Sequence, residues 1–159
     1  MQSASLKEIK TSLENLTNDE LIAIISRLSR FKKENKELIA YLLFGANDED
    51  LYMQSVKEQL DKAFETLNIN SIYIAKKNIR KIIRLVNRYI KYSEHKSTEI
   101  ALLIHVCKKI KDSGLTIEKS QALINIYDAL LKRINNAINT LHEDLQYDFG
   151  KEIAELNII

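Results

Sequence analysis

The sequence predicts an all-α protein, and three observations carry that expectation. Proline is absent from the 159 residues and glycine occurs only at Gly45, Gly114 and Gly150, where average usage supplies roughly eight and eleven. Turn-rich β folds need those residues, whereas helix interiors exclude them. Apolar residues recur at three- and four-residue spacing along almost the whole chain. The interruptions carry helix caps rather than hairpin turns. Together these features predict seven to eight helices in one domain over 1–159. The arrangement is either a stack of helix pairs of the armadillo/HEAT kind or an irregular bundle.

Each element follows from its local pattern. Leu6, Ile9 and Leu13 mark a short first helix. In "LTNDELIAIISRLSRF" Thr17 is placed to cap a second helix, with Glu20 at the capping-box position and Leu21, Ile25 and Leu28 as its buried face. "KKENKELIAYLLFG" predicts a third, with Leu38, Tyr41, Leu42 and Phe44 inward and Gly45 as its C-terminal cap. Near Phe31 the pattern allows either a break or one bent rod. Asn47 opens the fourth helix, whose stripe runs Leu51 or Tyr52, Val56, Leu60, Ala63 and Leu67.

After "NINS" a fifth helix runs from about Ser71 to Tyr92, and "SEHKST" separates it from a sixth. The sixth carries Ile100, Leu103, Ile104, Cys107 and Ile110 on one side and stops at Gly114. The seventh alternates spacings of four and three through Leu123, Tyr127, Leu130, Ile134, Ala137 with Ile138, and Leu141. That seam suits packing along a neighbour at a shallow angle. A short last helix over "FGKEIAELN" leads to an apolar end, "LNII", which offers a contact for a homo-oligomer.

Hydrophobic residues at 45% and charged residues at 29% are the balance of a globular chain, not a disordered one. The one cysteine, Cys107, has no intramolecular partner and lies in an apolar run, so it reads as a small core residue. "MQSASLKEIK" lacks the apolar segment of a secretion signal, and no run approaches the roughly 18 residues of a membrane span. A cytoplasmic location is the expectation, with no membrane partner.

Charge is where the sequence is uneven. Residues 71–96 carry eight basic residues and one acid, Glu94, although the whole chain is only +2. At about 100° per residue, Lys76, Lys77, Arg80, Lys81, Arg84, Arg88 and Lys91 fall in one arc of about 140°, with Tyr73 inside it. Ile72, Ala75, Ile79, Ile82, Ile83, Val86, Tyr89 and Ile90 take the opposite side. Solvated helix faces ordinarily mix signs, because acid–base pairs at i,i+4 stabilise and like pairs repel. Here Lys77–Lys81, Arg80–Arg84 and Arg84–Arg88 are like pairs. Several readings are open: acids of a neighbouring helix ("NDED", or Glu58, Asp61 and Glu65) neutralise the row, the row is a plain solvated face, or it meets an acidic protein, a second copy of the chain or nucleic acid.

The residues of familiar chemistries are missing. His105 and Cys107 point apart on a helix, and "HEDLQ" is not HExxH because position 146 is Gln. No glycine-rich phosphate loop and no nucleophile–base pairing occur. No metal site, cofactor or catalytic residue is therefore expected, and an enzyme or a small-ligand binder with an inter-helix pocket is the disfavoured alternative. "ELIAIISRLSRFKKENKELIAYLLF", residues 20–44, resembles a stretch of small all-helical bacterial proteins of unassigned function. That resemblance implies a helical fold and carries no activity. The abundance of Ile, Lys and Asn fits an AT-rich bacterial genome.

The functional expectation is a non-enzymatic helical scaffold. Its site is Lys76, Lys77, Arg80, Lys81, Arg84, Arg88 and Lys91 with Tyr73, and its partner is an acidic protein surface. Nucleic acid is the alternative partner for the same face, ranked second because a pI near 8.5 is low for a dedicated binder.

Overall fold

The computed structural model describes residues 4–156, and every described element is helical. Among the described residues there are eight α-helices: α1 (Leu6–Glu14), α2 (Asn18–Phe31), α3 (Lys33–Ala40), α4 (Glu49–Glu65), α5 (Ile72–Ser93), α6 (Lys96–Asp112), α7 (Gln121–Ile138) and α8 (Glu143–Ala154). The fold is all-α, with helices adjacent in the chain packed as pairs. The sequence shows no linker, yet the helices divide into two compact units, 1–44 and 45–159.

In the first unit, Ser5 and Thr17 cap α1 and α2 through capping boxes with Glu8 and Glu20. Both amides at each cap are thereby satisfied, and the hydrogen bonds hold each glutamate below the ordinary carboxylate range. The question near Phe31 resolves as a break: Lys32 is extended (φ −142°, ψ 145°) and separates α2 from α3. Asn35 spans that break by donating its side-chain amide to the Leu28 carbonyl at 2.9 Å.

Three expectations fail along α2, α3 and the turn that follows them. Ile25 and Leu28, expected inside, are 47% and 48% exposed. No residue of α1, α2 or α3 is fully buried, since two or three short helices enclose too little volume for a core. Past α3 the chain makes one π-helical turn, Tyr41–Gly45. Tyr41 is buried and Leu38 half-buried, but Leu42 and Phe44 are exposed, because the wider turn rotates them off the face that 3.6-residue spacing assigns. Gly45 closes that turn instead of forming a left-handed cap; the described glycine with positive φ is Gly114 (φ 75°), which ends α6 as expected.

The second unit holds the core. Asp48, not Asn47, caps α4, its carboxylate accepting from the Leu51 amide at 2.9 Å. Tyr52 rather than Leu51 belongs to the stripe, and its hydroxyl donates to the Tyr89 carbonyl on α5 at 2.9 Å. Helix α6 sits centrally, packed by α4, α5, α7 and α8. It is therefore buried more widely than one stripe: Leu102 and Val106 are fully buried beside Ile100, Leu103, Ile104 and Cys107. A 3-10 turn, Ile117–Lys119, which the periodicity does not signal, leads into α7.

Helix α8 begins at Glu143, earlier than its apolar pattern suggests, because Glu143 and Asp144 suit a first turn. It is tied down by Lys108–Glu152 at 2.8 Å and by Lys111 donating to the Glu155 carbonyl at 2.7 Å. Of the apolar end, Leu156 is buried and its carbonyl accepts from Tyr127 at 2.9 Å. The remainder of that expected oligomer contact, residues 157–159, lies outside the described residues.

Candidate partner-binding face

Helix α5 is well built to present a rigid surface. Ser71 caps it, its hydroxyl accepting from the Ile74 amide, and Glu94 ends it in the left-handed region (φ 58°) with its amide bonded to Ile90. Ala75, Ile79, Ile82, Val86 and Ile90 are buried on one side, so the helix cannot rotate without exposing them. That anchoring turns the opposite arc outward. Tyr73, Lys77, Arg80, Lys81, Arg84 and Lys91 are exposed, while Lys76 and Arg88 are half-buried. The eight expected residues thus share one face, at about 6 Å between i and i+4 partners along the axis.

Neutralisation by α4 does not occur at the row's centre. Asp61 turns to α6 instead, 3.0 Å from Lys109 and 2.7 Å from His105. Glu49 accepts from Ser93 and from Thr98, the latter at 2.7 Å. Among the described residues, Lys76, Lys77, Arg80, Lys81, Arg84 and Lys91 form no ion pair, and neither Glu58 nor Glu65 reaches them. Two cations of the helix lie near rings: the Lys76 ammonium is 5.9 Å from the Tyr73 centroid and the Arg88 guanidinium 5.6 Å from that of Tyr89.

The face is not flat. A cavity of 450 Å³ lies where α5 meets the last turn of α4, lined by Lys62, Ala63, Thr66, Asn78, Lys81, Ile82, Arg84, Leu85 and Arg88. A shallower one of 330 Å³ is formed by Tyr73, Lys76, Lys77, Arg80 and Arg84. Arg84 borders both, and of the expected residues Lys91 alone lines neither. Lys62, Thr66 and Asn78 were not legible as site residues. Lys62 and Thr66 belong to another helix, and Asn78 sits at the edge of the basic arc with no charge to mark it.

Asn87, a polar group that the helical wheel places at the arc's other edge, is engaged inside the fold. Its side-chain oxygen accepts from Arg133, which also bonds Glu99 at 2.7 and 2.8 Å, while Lys96 holds the other Glu99 oxygen at 2.9 Å. Burial raises the Glu99 carboxyl, but the hydrogen bonds from Lys96 and Arg133 and their charges outweigh it, so it stays ionised below its ordinary range. This network joins α5, α6 and α7 and is structural.

Burial pushes the Cys107 thiol up to about 12, so it is no thiolate nucleophile near neutral pH. No group of three or more metal-ligating side chains occurs among the described residues, and no described helix is long and apolar enough to cross a membrane. No family model, curated protein or solved structure matches the chain.

Proposed function

We propose that this chain is a non-enzymatic, cytoplasmic helical scaffold that binds an acidic protein through the cationic face of α5. The observation that supports this reading is the row Lys77, Arg80, Lys81 and Arg84, exposed and without an ion pair among the described residues. Like charges at i,i+4 cost the helix a few tenths of a kcal/mol per pair. An acidic helix laid along α5 removes that cost, since its carboxylates at i,i+4 repeat at the same spacing of about 6 Å. The arginines grip carboxylates bidentately, and the lysines add charge with less direction.

Nucleic acid is the second reading of the same face. Its support is the exposed Tyr73 ring beside Lys76 and Lys77, a stacking group among phosphate-binding cations. One titration separates the two. Labelled polyglutamate and labelled single-stranded RNA are each followed by fluorescence anisotropy between 50 and 200 mM salt, with wild type and with Lys77→Glu/Arg80→Glu/Arg84→Glu. The expected result is polyglutamate binding by wild type that the triple variant loses, with RNA bound more weakly. Tighter RNA binding, with a log–log salt slope of roughly −3 to −4 as about five phosphate contacts on a single strand give, puts nucleic acid first. Absence of binding to both at 50 mM salt removes the face as a partner site.

A further inference from the structure

The α4–α5 cavity adds a specificity that charge alone lacks. Its floor is Ala63, Ile82 and Leu85, and its rim carries Lys62 from α4 facing Lys81, Arg84 and Arg88 from α5. No carboxylate lines it, and Lys62, Lys81 and Arg84 form no ion pair among the described residues. At 450 Å³ it falls in the range of ligand-sized clefts, which join an apolar bed to a few placed polar groups. Cations on both banks of an apolar floor suit one occupant in particular: a large apolar side chain with carboxylates on either side of it.

We infer that this groove is the anchoring site of the acidic partner, and that the partner's segment is amphipathic. One Leu- or Phe-sized side chain enters between α4 and α5, and flanking Asp or Glu side chains reach Lys62 on one bank and Lys81 and Arg84 on the other. The inference rests on the proposed partner-binding face and sharpens it, from any acidic surface to an acidic segment with an apolar anchor. Nucleic acid meets the groove less well. Its charges run along one side of its bases, and no aromatic ring lines this cavity for a base to stack on.

The test uses two labelled peptides of fourteen residues, each with glutamates at four-residue spacing. One has a central leucine and the other alanine in its place. Wild type is expected to bind the leucine peptide about tenfold more tightly, a conservative return for burying the extra carbons. Amide shifts on titration are expected at Ala63, Thr66, Ile82 and Leu85. Thr66→Trp covers the mouth of the groove from an exposed position at the end of α4, and Ala63→Phe fills its floor. Either is expected to erase the leucine advantage, so that the two peptides bind the variant equally, and Thr66→Trp guards against misfolding of the second.

Lys81→Glu/Arg84→Glu is expected to weaken both peptides. Equal binding of the two peptides by wild type overturns the groove while leaving the cationic face standing. Binding of neither overturns both.

Discussion

His105 shows how a polar side chain on the central helix is accommodated without becoming a site. It is half-buried, with its Nε2 2.7 Å from Asp61, and Lys57 and Lys109 stand nearby. Burial lowers its pKa first, the two lysines lower it further, and Asp61 opposes them without prevailing. The folded chain therefore binds this proton less readily than the unfolded chain. The stability that neutral His105 provides is complete above the unfolded value near 6.5 and is lost as pH falls from there through the lower folded value. Denaturant midpoints at pH 7.5 and 5.5 are expected to show a drop for wild type and a smaller one for His105→Gln. Equal drops would show that the imidazole is not the titrating group. Asp61 and Glu99, held below their ordinary values, lose their contribution only as pH falls further, below about 4.

At the scale of elements, burial separates helices that look alike in sequence. Leu28 on α2 and Leu103 on α6 both sit on apolar stripes, yet Leu28 is 48% exposed and Leu103 fully buried. Leu103→Ala is expected to cost about 2–5 kcal/mol, the range for a core leucine, and Leu28→Ala less than about 1 kcal/mol. Chemical denaturation checks both, and a large loss at Leu28 would mean that α2 is covered. Periodicity made the helices and caps of both units legible, because spacing and capping are local properties. It could not show which stripes find a partner, or that a π turn displaces Leu42 and Phe44. The basic arc was legible for the same local reason, whereas Lys62 and Thr66 reached the site only through the pairing of α4 with α5.

For the molecule as a whole, a small net charge conceals a segregated one: α5 and its flanks hold +7, against −3 before residue 71 and −2 after residue 96. The structure keeps most of that row away from the acids, sending Asp61 and Glu152 to cations of α6. Because Lys77, Arg80, Lys81 and Arg84 form no ion pair among the described residues, their positive charge is not what holds this fold together. A measurement that needs no partner checks this: the melting temperature of Lys77→Glu/Arg84→Glu beside wild type. These two changes turn Lys77–Lys81, Arg80–Arg84 and Arg84–Arg88 from like-charged into opposite-charged i,i+4 pairs. The expected result is a gain of about 1 kcal/mol, which for a chain of this length raises the melting temperature by about 2–4 °C. A fall of similar size would contradict it, because the cations would then be answering acids within the fold.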